Sequence, residues 1–254
     1  MIECGSLEYA QARIQARHGE RTRETTWQRL ETIREFAPLL DAARNSPLRP
    51  WLVGIGAPGR SEQIEPVLRR HWREVVAEVA RWMPPAWQPS LGWCAVWPEL
   101  PVFAHLARGG EAWPWMSDDP DWRAVCDAPA AARPVLIAGG ALGPLATAWA
   151  APDSLSQAWA AEWRRRLPHP PADGDSLSRV AGTLLTHAGD FAAAPAGTGA
   201  PLRRALQSRL AALLRRAALE PATAFIHLAL CALDFERLRG ELLGRALFPH
   251  RAPA

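Results

Sequence analysis

Gly54-Ile55-Gly56-Ala57-Pro58-Gly59 is a literal G-x-G-x-x-G. In a dinucleotide site such glycines let the backbone approach a pyrophosphate at a helix N-terminus, after a strand and within a βαβ unit. The strand-like Trp51-Leu52-Val53 precedes the loop and a helix follows it. Glu78 stands near the spacing of about 20 residues at which an acid would hold the ribose. That residue falls, however, on the polar face of the following helix rather than at the end of a second strand. Pro58 is also an unusual occupant of the motif, so the spacing favours a loop that punctuates two helices. A dinucleotide-binding enzyme using Gly54–Gly59 stands as an alternative. A second glycine run, Ala138-Gly139-Gly140 after Val135-Leu136-Ile137, has no capping residue and no phosphate partner, and reads as a broken buried helix.

Other chemistries find less. Every one of the 29 basic residues is arginine. A chain without lysine has no Walker A lysine, no Schiff base and no kinase-type ATP clamp. His18, His71, His105, His169, His187, His227 and His250 sit in seven different segments, so a metal site would rest on tertiary chance. Cys4, Cys94, Cys126 and Cys231 are far apart with no C-x-x-C, which argues against zinc and for free thiols in a reducing cytosol. No G-x-S-x-G is present, and neither a serine nor a cysteine is expected beside a base. Asp118, Asp119 and Asp121 flank Pro120 and read as a helix-start cap. The expectation is therefore a protein without catalytic residues, metal or cofactor. Arg164-Arg165-Arg166 suits a helix C-terminus better than a nucleic-acid stripe, so no nucleic acid is expected as a partner.

Tryptophan is over-used, with 13 residues against one tyrosine. Trp72, Trp82, Trp93 and Trp97 fall at core spacing. Trp87, Trp113, Trp115 and Trp122 lie near prolines and are expected on a surface that meets a partner. Gly240 and Gly244 would permit close helix approach, at a propensity cost of roughly 1 kcal/mol each.

The elements that must position these residues are helical. A chain of 254 residues, 48% hydrophobic and 22% charged with a net charge of +3, is long enough for one large domain or two small ones. Met1 to Gly5 carries an early acid and no apolar stretch, so no secretory leader is expected. The uncharged run Pro134 to Pro152 is too broken for a membrane span. Ser6 caps a first helix that Gly19 closes, and Thr26 opens a second through Leu40. Ile64, Val67, Leu68, Trp72, Val75, Val79 and Trp82 form the inward stripe of a helix over 61–83, with Pro66 in its first turn. Arg69, Arg70, Arg73, Glu74, Glu78 and Arg81 take its solvent face, with Arg70 and Glu74 as a surface pair. Prolines split 87–108. Ser154 with Gln157 suggests a capping box ahead of a helix to Arg166. Loops at 168–175 and 195–201 precede helices over 202–218 and 222–247, the last apolar on all sides at its start. The class is all-α with about eight to ten helices, as one domain over 1–254 with possible halves at 1–116 and 117–254.

Two ends of the chain resemble one family. Tyr9-Ala10-Gln11-Ala12-Arg13-Ile14-Gln15-Ala16-Arg17 looks like the opening helix of the C/d family of V-type and archaeal-type rotary ATPases, which begins Tyr-Ala/Leu-x-Ala-Arg-Val/Ile-Arg. Asp41 to Leu52 with Ser46-Pro47-Leu48, the helix Glu62 to Trp82, and Leu91 to Gly109 are similar to the elements that follow. Phe235-Glu236-Arg237-Leu238-Arg239 resembles the closing Glu-x-x-Asn-Leu-Arg helix, with Arg237 in place of the Asn. Where the family carries Arg-Tyr-Asp-x-x-Asn-Leu this chain has Val96 to Val102, and it is shorter than full members. The resemblance implies a funnel-like, non-catalytic rotor adaptor, cytoplasmic and peripheral to the inner face of the membrane. Its partners would be stalk and membrane-ring proteins of a rotary ATPase moving protons or sodium. Tyr9, Arg13, Arg17, Glu236 and Arg239 are its candidate partner contacts; Arg13 and Arg17, four apart on one face, suit an acidic partner surface. The alternative of the same fold is a helical interaction scaffold of another membrane complex.

Overall fold

A computed structural model describes residues 6–57, 59–168, 174–195 and 197–248. Cys4, Pro58, His169, His250 and most of the loop expected at 168–175 lie outside the described residues. Among those described, the chain is all-α: twelve α-helices joined by short 3-10 turns, with no strand. That is two more helices than the upper end of the expected range, because prolines divide segments that the spacing alone joins.

α1 (Leu7–Gly19) starts where the sequence places it, with Ser6 Oγ accepting the Tyr9 amide at 3.1 Å. The single helix expected from Thr26 is two, α2 (Glu24–Glu31) and α3 (Phe36–Arg44). Pro38 cannot donate to residue 34 and its ring would crowd that carbonyl, so the chain turns extended at Glu35 (φ −94°, ψ 146°) before restarting. α4 (Ser61–Trp82) carries Pro66 as its sixth residue, not in the first turn, and forgoes one backbone bond there. Prolines split the next segment into α5 (Gln88–Gly92), a 3-10 turn (Trp93–Glu99) and α6 (Leu100–Ala107), then a 3-10 turn (Pro114–Ser117) leads to α7 (Arg123–Cys126).

α8 (Arg133–Gly139) is short but not buried: Ile137 is inward while Val135 is 74% exposed. α9 (Leu155–Arg165) lacks the expected capping box, since Ser154 Oγ donates to the Ala151 carbonyl instead. α10 (Gly174–Ala193) fills a stretch to which the spacing assigns no helix. α11 (Gly199–Arg216) and α12 (Ala222–Leu247) complete the fold. No helix among the described residues is long and apolar enough to cross a membrane.

α4 and α12 lie against each other at the centre, with α1 on one flank and α11 and α10 on the other side of α12. Every residue from Ala222 to Cys231 is buried, as the all-round apolar start of α12 requires. Tryptophans stitch the elements: Trp97 sits 5.8 Å from Trp72 and 5.4 Å from Trp159, and Trp163 meets Phe225 at 5.2 Å. Such aromatic pairs add roughly 0.5–1.5 kcal/mol each beyond area burial. The surface role expected for the proline-flanked tryptophans is corrected by their burial: Trp87, Trp115 and Trp122 are 6%, 4% and 0% exposed, and Trp113 is half-buried. Gly240 and Gly244 also serve no close approach, since a Cβ added at either would meet nothing within 4 Å.

Candidate functional site

Two arrangements of charged residues bear on the candidate site. The first is a spine of alternating charge that crosses the core. Glu236 faces Arg239 at 3.6 Å, and Arg239 reaches Glu65 at 2.6 Å. Glu65 holds Arg69 at 3.3 Å, Arg69 bonds Glu99, and Arg73 continues from Glu99 to Asp119 at 3.0 Å and Asp121 at 3.6 Å. Arg69 is 1% exposed, with its guanidinium also on the Pro98 carbonyl and 4.3 Å over the Trp115 ring. Its expected place on the solvent face is therefore corrected, and Glu74 pairs with His71 rather than Arg70. Asp119 likewise does more than start a helix: it is buried against Arg73 and accepts the Asp121 amide. Burial pushes the Glu99 carboxyl above its usual range, against the pull of Arg69 and the Trp122 indole N–H. Burial opposes the Arg239 charge too, but Glu65 and Glu236 outweigh it and hold the guanidinium above its ordinary value.

The sequence contains a signal for this spine. Glu65, Leu68, Arg69, Trp72 and Val76 fall at three-and-four spacing, which places both charges on the apolar face of α4.

The second place is a polar cleft of about 360 Å³ between α1, α4, the 3-10 turn Arg49–Leu52 and α12. Arg13 and Arg17 do share a face of α1, but both turn to Glu78 of α4, at 3.8 and 3.0 Å. Arg17 also holds Glu20, and Arg13 lies over the Trp82 ring. Tyr9 is half-buried against the core. Deeper in, Arg21 bonds Asp234 at 2.7 Å and the Leu230 carbonyl at 3.0 Å, joining the end of α1 to α12.

Beside that pair, His227 Nε2 lies 3.6 Å from Cys231 Sγ. The two stand four residues apart on α12, which corrects the expectation that no cysteine lies beside a base. The environment decides what the pair can do. Burial pushes the Cys231 thiol up to about 12 and the His227 imidazole down to about 3. Both are neutral near pH 7, the reverse of the thiolate–imidazolium state that a nucleophilic cysteine needs. No group of three or more metal-ligating side chains forms among the described residues.

The glycine loop has its own structural account. Gly54 takes φ +94°, a turn conformation that favours glycine, and a Cβ on Gly59 would fall 2.0 Å from the Phe36 ring. The segment expected as a strand, Trp51 to Val53, runs through a 3-10 turn, so the described residues hold no βαβ unit around the loop.

The expected partner contacts thus divide between two regions. Arg17 lines the polar cleft, Arg13 reaches Glu78 of that cleft from the same face of α1, and Tyr9 packs against the core. Glu236 and Arg239 lie on α12 at the end of the spine, where Glu236 also lines an apolar groove of about 420 Å³ between α10, α11 and α12. No family model, curated protein or solved structure matches the chain.

Proposed function

We propose that the chain is a non-catalytic helical adaptor of a V-type rotary ATPase, linking central stalk to membrane ring in proton or sodium transport. The observation that carries the reading is the pairing of α1 with α12. The two segments that resemble the C/d family of rotary ATPases lie at opposite ends of the sequence, yet they pack side by side and are clamped by Arg21 on Asp234. Arg13 and Arg17, although ion-paired to Glu78, remain 46% and 47% exposed, so an acidic partner can still reach them. Arg239 is committed to Glu65 and serves the fold instead. The neutral state of Cys231 and His227 supports a binding role over thiol chemistry. The apolar groove favours a second reading, a helical scaffold of another membrane complex.

Affinity purification of the tagged chain from gently solubilised native membranes separates the two. Recovery of ring and stalk proteins, reduced by Arg13→Glu with Arg17→Glu, is the result expected. Recovery of a different membrane assembly supports the scaffold, and a chain recovered alone overturns both.

A further inference from the structure

α11 holds an unbalanced share of the charge. It carries five of the 29 arginines, Arg203, Arg204, Arg209, Arg215 and Arg216, and none of the 26 acids. The whole chain is only +3, so everything outside this helix is net negative. Elsewhere arginines find carboxylates: Arg17, Arg21, Arg69, Arg73, Arg237 and Arg239 all form ion pairs. Among the described residues none of the five on α11 does. Four residues away from the last four of them, within the helix, stand Ala205, Ser208, Ala211, Ala212 and Leu213, so the acids that would compensate at that spacing are missing.

The acids around the helix do not cancel this charge. Arg203 is half-buried over the Phe191 ring and shares its surroundings with Glu236, so it stands apart. Arg204, Arg209, Arg215 and Arg216 are exposed. Glu24 feels Arg204 but is held by both terminal nitrogens of Arg237, at 2.8 and 3.0 Å. Asp190 of α10 and Arg209 both act on His187 without pairing with each other. Glu220 shares a small pocket with Arg216 and with Arg179 of α10, and pairs with neither. Four exposed cations therefore face two unspent acids, Asp190 and Glu220, and the face stays positive. At ~100° per residue the four arginines form two stripes about 120° apart around the axis, Arg204 with Arg215 and Arg209 with Arg216. Between them Ala205 and Ser208 are exposed, with no aromatic, amide or large apolar side chain.

The chemistry of the face selects its occupant. Protein interfaces are anchored on buried aromatic and apolar side chains, and the exposed face of α11 offers none. Nucleic acids are stacked on by aromatics and read by amides, and those are missing too. Leu219 adds a second observation. Directly after Arg215 and Arg216 it is 52% exposed, and its amide is fixed on Gln11 Oε1 at 3.2 Å. A large apolar side chain beside two cations gains nothing from phosphates in water, but it gains from the acyl boundary beneath lipid headgroups. Headgroups that move laterally can also meet both stripes, with each arginine adding to the attraction. We propose that the α11 face docks on an anionic phospholipid surface, with its four exposed arginines on the headgroups and Leu219 at the acyl boundary. The docking is independent of the adaptor reading, since it needs no rotary ATPase protein.

Co-flotation of the purified full chain with vesicles reads the contact. Binding to mixed phosphatidylcholine and phosphatidylglycerol vesicles is expected, with none on phosphatidylcholine alone and release in high salt. Arg209→Gln with Arg216→Gln weakens it by roughly 25-fold, at about fivefold per arginine. Arg204→Gln with Arg215→Gln does the same from the other stripe, and stands in if the first pair loses helicity. Leu219→Gly removes the apolar contact and weakens binding by at least about threefold. Arg49→Gln with Arg60→Gln takes the same charge from exposed residues outside α11 and changes binding by less than about twofold. Three results overturn the proposal: equal binding to vesicles with and without phosphatidylglycerol, an equal loss from the Arg49 and Arg60 pair, or tighter binding of a duplex oligonucleotide at the same salt concentration.

Discussion

Replacing Arg69 by Met tests whether the charge spine holds the core or merely decorates it. Arg69 is 1% exposed and its guanidinium serves Glu65, the Pro98 carbonyl and Glu99 while lying 4.3 Å over Trp115. Methionine keeps most of the apolar stem, so the loss is chiefly electrostatic. Removing one partner of a buried pair costs about 3–5 kcal/mol, because the remaining charge stays buried. Glu65 still has Arg239, and Glu99 still has Trp122 and a distant Arg73, which places the expected cost at about 3–4 kcal/mol. At roughly 2–4 °C per kcal/mol for a chain of this size, the melting temperature falls by about 6–16 °C.

Urea unfolding followed by far-UV circular dichroism and tryptophan fluorescence reads the cost. The control Arg70→Met, on an exposed face, loses under about 0.5 kcal/mol. Adding Glu99→Gln to Arg69→Met restores part of the loss, with a coupling energy of about 0.5–3 kcal/mol. The pH dependence has a definite sign. Glu99 already titrates above its ordinary value of 4.5, and without Arg69 it moves higher. A carboxyl raised in the folded state adds stability below its unfolded pKa and loses it as pH rises through the folded one. The deficit of the variant therefore grows from pH 4.5 upward. A cost below about 1 kcal/mol, or strict additivity with Glu99→Gln, refutes the spine as a structural unit.

Three further outcomes are expected. Gly59→Ala forces a Cβ onto the Phe36 ring and destabilises by about 1–3 kcal/mol, with Phe36→Leu restoring most of it; a neutral Gly59→Ala would mean that packing does not explain this glycine. Leu219 holds φ 61°, with its amide tied to Gln11, so Leu219→Gly raises stability by about 1 kcal/mol in urea melts, and a loss contradicts the strain. With Cys231 near 12 and His227 near 3, native protein at pH 8 alkylates at half-buried Cys126 before Cys231, and the His227 ring proton shift stays constant from pH 8 to 5. Cys231 labelling as fast as Cys126 would return the cleft to consideration as a thiol active site.

Local signals are legible where they suffice to decide the local structure. Ser6 and the apolar face of α1, the stripe of α4, and the start of α12 at Ala222 are each readable because a cap, a period or a turn acts within a few residues. Pro38 is visible too, but its effect on the α2–α3 join is a contest between a helical period and a missing donor that spacing does not weigh. Arg69 shares the inward spacing of Leu68, Trp72 and Val76, but residue type assigns an arginine to solvent, and only Glu99, thirty residues away, explains its burial. The proline-flanked tryptophans are misplaced likewise: Trp122 packs in the core with its indole N–H donating to Glu99 at 2.7 Å, a partner twenty-three residues away. The two clefts are products of how α1, α4, α10, α11 and α12 stack, so the sequence shows residues of the sites without their grouping.

Arginine without lysine reads as compositional background, yet the structure gives it consequences. Arg69 meets three acceptors at once, Glu65 on its own helix and Pro98 and Glu99 on the 3-10 turn, and Arg237 spans Glu24 and Glu31 of α2 from α12. A planar fork of five donors can do this, and an ammonium point charge cannot hold the same geometry. The same economy bears on function. Residues that would normally suggest chemistry, Glu78, Asp119, Asp234 and Glu65, are all ion-paired within the fold. A catalytic site needs groups left unsatisfied and aimed at a reacting atom. In this chain those four carboxylates are engaged by arginines of the fold, as structural charges are.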